Sequence, residues 1–221
     1  MTATSGPGMS LYSENLGLAI MGEVPLVIVD VQRTGPSTGM PTRTQQGDLM
    51  ECAYASHGDT RHICLYPSDP KEAFEFAAKA FDLAERFQTP TFLVTDLDIG
   101  MNDWMVPKFT WDDSYRPDRG KVLTAEELEQ AKNFWRYYDH DGDGIPQRSV
   151  PGVHPKGAYF TRGTTKDRFA RYSEEGHDYV DNMERLLKKW DTAKTIVPYA
   201  IRRDAADATQ IGVIYIGSTS P

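Results

Sequence analysis

Eight residues from Val24 to Val31, "VPLVIVDV", place branched apolar side chains on both alternating faces, the pattern of a strand covered by helices on each side. The run stops at Gln32, and the following stretch, "RTGPSTGMPTRTQQGD", is crowded with Gly, Pro, Ser and Thr around Arg33 and Arg43. Upstream, Thr2 to Gly8 reads as a strand end and a tight Gly-Pro-Gly turn. Met9 to Met21 then reads as a mostly buried helix, with hydroxyls between Ser5 and Ser10 near its start. Leu49 to Ala55 predicts a short helix and Ile63 to Tyr66 a short strand. Pro70 to Phe87 is the clearest helix, because Ala73, Phe76, Ala77, Ala80, Leu83, Ala84 and Phe87 form one stripe and proline sits in the first turn. "PTFLVTDLD", from Pro90, returns to strand. This alternation predicts an α/β domain built on a parallel sheet flanked by helices. Ligands of such sheets gather beyond the carboxyl ends of the strands, where the Arg33–Asp48 stretch lies.

From Met101 to about Thr165 the pattern gives way to Trp, Tyr, Asp, Gly and Pro, with one helical piece, "TAEELEQAKNFWRYY". A connection of that length is an elaborated insertion. Asp178 to Thr192 predicts an amphipathic helix, and Ile211 to Ile216 an isolated strand after the polar linker "IRRDAADATQ". A domain boundary is expected near Arg203.

Charge narrows the partners. The chain has 221 residues, 39% hydrophobic and 25% charged, and a net charge of -8. That balance suits a globular protein and repels phosphate backbones, so nucleic acid is not an expected partner. Cys52 and Cys64 form neither a zinc pattern nor an iron–sulfur set. No apolar run approaches the roughly 20 residues of a membrane span, so no membrane partner is expected and the default compartment is the cytoplasm.

Three features could carry chemistry. Arg43, on a Gly/Pro-shaped loop past a strand, could hold a carboxylate through two parallel hydrogen bonds; the plain alternatives are a surface arginine or an ion pair with Asp48. The turn Thr4, Ser5, Gly6, Pro7, Gly8 allows close backbone approach beside free amides at a helix start, as ordinary strand-to-helix turns also do. Asp139, Asp141 and Asp143 with Gly144 match the first half of a calcium loop, but the twelfth position is Val150, so a calcium or magnesium site of another kind competes with a solvated turn. The "GDG" within that stretch lacks the preceding strand and following Asn of a thiamine diphosphate motif. The aromatics of the insertion are expected to pack it down, and the histidines to be structural or superficial.

With these residues assembled, the chain resembles the α subunit of 2-oxoacid:ferredoxin oxidoreductases, the 2-oxoglutarate type in particular. The resemblance rests on "TATSGPGMSLYSENLGLA", "EVPLVIVDVQRTGPSTGMPTRTQQGDL", "SHGDTRH", "FDLAERFQTPTFLVTDLDIGMN" and "GAYFTRG". It implies a thiamine-diphosphate enzyme that oxidatively decarboxylates a 2-oxoacid to an acyl-CoA, with coenzyme A as acceptor and electrons passed to ferredoxin. This chain would be the pyrimidine-binding domain, residues 1–203, and residues 204–221 would begin a transketolase-C-like domain. A β subunit would hold the diphosphate, its magnesium and a [4Fe-4S] cluster. Arg43 would grip the substrate carboxylate, Thr4–Gly8 would lie near the cofactor ring, and Asp167 would face the substrate. The family's ring-activating glutamate and a Tyr-Pro-Ile-Thr-Pro segment normally precede "TSGPG" and are not in this sequence, which implies a piece of a longer subunit, inactive alone. The rival readings are a calcium-stabilised interaction module and a degenerate scaffold subunit.

Overall fold

The alternation within "LVIVDV" is what makes the sheet two-sided: Val27 turns into one hydrophobic core and Ile28 into another, and Leu93 and Phe92 divide in the same way. In the computed structural model, which describes residues 1–207 and 209–220, four strands pair in parallel: β1 (Thr2–Thr4), β2 (Leu26–Gln32), β3 (Ile63–Leu65) and β4 (Pro90–Asp96). Their order is β1-β2-β4-β3, with Thr4 opposite Asp30 and Asp30 opposite Val94. One face is covered by α1 (Gly6–Gly22) and α2 (Leu49–Tyr54), which bring Met9, Leu16 and Cys52 onto Ile28 and Phe92. The other is covered by α3 (Pro70–Phe87) and α6 (Gly176–Ala193), which bring Leu83, Phe87 and Trp190 onto Val27 and Leu93. The helix α3 begins at Asp69, whose side chain accepts from the Glu72 amide at 2.8 Å, and ends at Gln88 in the left-handed region. Between β4 and α6 lie two short helices, α4 (Leu97–Met101) and α5 (Ala125–Gln130).

Two elements differ from expectation. The helix expected over Thr124–Tyr138 stops at Gln130, because Arg136 and Tyr137 are drawn to the end of α1: Tyr137 donates to the Gly22 carbonyl at 3.0 Å and Arg136 to the Glu23 carbonyl at 3.1 Å. Tertiary contacts outweigh helix propensity there. The expected strand at 211–216 has no partner strand and does not form; Ile211, Val213 and Ile214 are exposed, and the segment is held by its end, where Ile216 accepts from Gln46 Nε2 at 2.7 Å.

The helix α6 is fastened to the amino edge of the sheet by charge. Glu23, fully buried, accepts from Arg185 Nη1 at 3.0 Å, from Arg185 Nη2, and from Lys189 Nζ at 3.0 Å. Burial alone would push this carboxyl up, but Arg185 and Lys189 outweigh it and hold it well below the usual range. The aromatic residues of the insertion pack it only in part: Phe109 stacks on Phe74 of α3 at 5.0 Å and Tyr115 donates to Asp82 at 2.5 Å, but Phe109, Trp111 and Phe160 stay exposed.

Candidate active site at the carboxyl edge of the sheet

Where β1 and β2 end, two loops meet. The first is the Ser5–Gly8 turn into α1. Ser5 caps this helix by backbone alone, its carbonyl accepting from the Gly8 and Met9 amides at 2.8 and 3.1 Å, and its hydroxyl makes no capping bond. A Cβ on Gly8 would come within 1.8 Å of Thr4 Oγ1, and one on Gly6 within 2.9 Å of Asp48 Oδ1, so both glycines are required by close approach.

The second is the Arg33–Gly47 loop. Thr34 organises it: its amide donates to the Arg43 carbonyl at 2.9 Å, and its hydroxyl to the Arg43 and Thr44 carbonyls at 3.1 and 3.3 Å. Its own carbonyl accepts from Met40 at 3.1 Å, and the chain can fold back so tightly only because Gly39 has φ +48 and no side chain; a Cβ there would lie 2.0 Å from that carbonyl oxygen. Thr34 thus braces the loop. Arg43 is held by its backbone at both ends while its guanidinium is exposed and, among the described residues, forms no ion pair. Asp48 is not its partner.

Asp48 instead turns inward. It is the N-cap of α2 but makes no side-chain capping bond; its carboxyl packs against Gly6, where a Cβ would meet Oδ1 and Oδ2 at 2.9 and 3.0 Å, while its amide donates to Gln32 Oε1 at 3.0 Å. Asp30 is fully buried in the middle of the sheet, with Cys52 Sγ donating to its Oδ2 at 3.5 Å. Burial, then the neighbouring Asp48, pushes Asp30 up to about 7; burial also raises Asp48, against the pull of the nearby Gly6 amide. Beside them Asp96, ending β4, accepts from Gln46 Nε2 at 3.2 Å and Ser218 Oγ at 2.5 Å. The expected Thr4–Gly8 turn and Arg43 loop are therefore brought to one edge. The connecting residues Asp30, Gln32, Gln46 and Asp96 went unmarked; the signal for Asp30 was a carboxylate inside an otherwise apolar two-faced strand.

Other expected residues lie elsewhere. Asp167 caps a turn, accepting from the Phe169 and Arg171 amides at 2.9 Å each. Its neighbour Lys166 donates to the Met21 carbonyl near the end of α1, which puts Asp167 at the amino edge, about 20 Å along the seven-residue β2 from the Arg43 loop. It cannot join Arg43 on one substrate in this arrangement. Asp139 spends one oxygen on the Gly142 and Asp143 amides at 2.7 and 3.0 Å, and Lys121 Nζ sits 2.8 Å from both Asp141 and Asp143. The metal expected there is replaced by an ammonium: among the described residues no group of three or more His, Cys, Asp or Glu is arranged to hold a metal ion.

These features define a parallel α/β domain with a glycine-built turn and a cation-bearing loop at one sheet edge. The chain belongs to the thiamine-diphosphate-binding family described as pyruvate flavodoxin/ferredoxin oxidoreductase, whose model matches residues 1–189. Among relatives, it is 52% identical to the 2-oxoglutarate synthase subunit KorA of Methanocaldococcus jannaschii over 100 residues, 45% of this chain and 27% of that protein. It is 34% identical to the 2-oxoacid:ferredoxin oxidoreductase subunit alpha of Saccharolobus solfataricus over 221 residues, 100% of this chain and 34% of that one. Among solved structures, 2-oxoglutarate:ferredoxin oxidoreductase from Magnetococcus marinus, with 2-oxoglutarate, coenzyme A and succinyl-CoA bound, superposes with a TM-score of 0.80 at 28% identity, over 90% of this chain and 33% of that chain. The chain spans about a third of the length of these relatives. No helix among the described residues is long and apolar enough to cross a membrane.

Proposed function

We propose that this chain is the pyrimidine-binding domain of the α subunit of a 2-oxoacid:ferredoxin oxidoreductase, with residues 204–221 beginning a transketolase-C-like domain. The enzyme would convert a 2-oxoacid and coenzyme A to carbon dioxide and an acyl-CoA, and pass two electrons to ferredoxin. The observation that carries the reading is the Arg43 loop: an exposed, unpaired guanidinium presented by a backbone-locked loop at the same sheet edge as the Ser5–Gly8 turn.

The residues present suit one end of the cofactor. The Ser5 hydroxyl without a capping bond and the close-packed glycine backbone can meet the polar edge and flat face of an aminopyrimidine. The diphosphate and its magnesium need carboxylates or similar ligands, which fall to a partner β subunit together with a [4Fe-4S] cluster. Thiamine diphosphate, when bound, supplies the nucleophilic carbon and electron sink that decarboxylation of a 2-oxoacid requires. The chain's own contribution is orientation. Arg43 forks onto the substrate carboxylate, neutralises it and fixes which bond lies along the reacting axis; the Thr34 clasp keeps the loop from collapsing onto the edge. The calcium-stabilised module loses its basis, since Lys121 holds the carboxylates that would have bound the ion.

The test is to purify the complex containing this chain and follow reduction of ferredoxin with thiamine diphosphate, coenzyme A and a panel of 2-oxoacids. Coenzyme A-dependent reduction with at least one 2-oxoacid is expected. A complete complex that reduces ferredoxin with none of them overturns the reading.

A further inference from the structure

The carboxyl pair under the site has an arrangement that ordinary packing does not explain. An aspartate at a helix N-cap normally accepts from the amides of the first turn, yet Asp48 makes no such bond to α2; Asp30 lies against that same first turn through Cys52, whose amide donates to the Asp48 carbonyl at 2.8 Å, and the Asp48 amide is tied to Gln32, two residues beyond Asp30 on β2. Each carboxyl then has one oxygen with no donor among the described residues, Asp30 Oδ1 and Asp48 Oδ2, while the other Asp30 oxygen is taken by Cys52. A buried carboxylate is stable when paired with a cation or supplied with donors. None of the groups acting on Asp30 is a cation: Asp48, Glu51 and Cys52 face it from α2 and its cap, and Cys64 and Tyr66 from β3 and just beyond. Its register neighbours on β1 and β4 are Thr4 and Val94. One proton between the two orphan oxygens would satisfy both.

We propose that Asp30 and Asp48 share a single proton, and that this proton fastens the Arg43 loop to the Ser5–Gly8 turn, making Asp48 a positioning residue for the substrate clamp. The second part rests on the role given to Arg43 above. Asp48 is where the fastening converges: its carboxyl packs on Gly6 on one side, it closes the Arg43 loop on the other, and it is tied by its own amide to Gln32 of β2. When the proton leaves, two neighbouring carboxylates must both be charged where, among the described residues, no cation is paired with either. Asp48, the half-buried member, is the one able to move toward water. Its departure releases Gly6 and slackens the loop, so a rise in pH through neutrality should loosen the clamp before it unfolds the domain.

Carboxyl-labelled aspartate followed by NMR through a pH series on the full chain tests this directly. The wild type should show a carboxyl titration near neutrality, well above the ordinary aspartate range of about 4, and the amides of Gly6 and residues 34–46 should move with the same midpoint. In Asp30→Asn a permanent amide donor replaces the proton, so both changes should vanish; Asp48→Asn should abolish the carboxyl titration as well. Aspartates that all titrate in the ordinary range refute the shared proton, and a neutral titration that the Gly6 and loop amides ignore refutes the fastening. In the assembled enzyme, KM for the 2-oxoacid should rise with that midpoint and lose this dependence in Asp30→Asn; a pH-independent wild-type KM refutes the positioning role. An enzyme that turns over no 2-oxoacid would sink the role of Arg43 and with it the clamp, while the NMR result still decides whether the proton is shared.

Discussion

Replacing Glu23 by glutamine tests how α6 is held to the amino edge of the sheet. The substitution keeps the side-chain shape and removes the charge, leaving Arg185 and Lys189, only 6% and 1% exposed, without their shared carboxylate. Breaking a buried ion pair from one side costs about 3–5 kcal/mol. For a chain of this size each kcal/mol moves the melting temperature by about 2–4 °C, so Glu23→Gln should melt on the order of 6–20 °C below the wild type in a circular-dichroism scan. The pH dependence has a definite sign. The folded pKa of Glu23 lies below its unfolded value, so its stabilisation is complete above the unfolded value, near 4.5, and is lost as pH falls toward the folded one. The variant should therefore lose stability less steeply than the wild type in acid. Changing Glu23 to Leu together with Arg185 and Lys189 to Met should recover much of the loss, because apolar replacement of a whole buried cluster is often neutral or better. A Glu23→Gln variant melting within about 2 °C of the wild type would refute the claim that this triad fastens α6 to the sheet.

Three further outcomes follow from the same geometry. Gly8→Ala should destabilise by about 1–3 kcal/mol, since its Cβ would meet Thr4 Oγ1 at 1.8 Å, whereas Gly176→Ala at the open start of α6 should be neutral or stabilising by up to about 1 kcal/mol; urea unfolding of both variants checks the contrast. Millimolar calcium should leave the melting temperature unchanged, because Lys121 bridges Asp141 and Asp143. A real site with a dissociation constant tenfold below the added calcium would stabilise by about 1.4 kcal/mol, and a calcium-dependent shift in the scan would contradict the lysine-bridged description.

How much of this the sequence disclosed depended on whether local pattern or distant contact set each element. The strand Pro90–Asp96 and the helix Pro70–Phe87 were plain, because a two-faced apolar run and a complete stripe each admit one structure. The edge carrying the site was legible too, since loops after parallel strands converge there. What was hidden was set by pairs far apart in the chain. Arg136 reaches back to Glu23, ending the helix of α5 early, and Lys166 reaches back to Met21, drawing Asp167 to the wrong edge. The spacing of Asp139, Asp141 and Asp143 suggests three converging carboxylates, but only Asp141 and Asp143 meet, on Lys121, which no local motif reveals, while Asp139 accepts from the Gly142 and Asp143 amides. Asp48 could be suspected only as a partner for Arg43, whereas its carboxyl packs against Gly6.

Kinetics of Arg43→Lys in the assembled complex bear most directly on the proposed clamp. Lysine keeps the charge and loses the fork; a charge-assisted contact of about 1.5–3 kcal/mol corresponds to a fall in kcat/KM for the 2-oxoacid of roughly 10- to 150-fold, with the thiamine diphosphate requirement unchanged. A variant whose kcat/KM stays within about twofold of the wild type would show that this guanidinium does not hold the substrate.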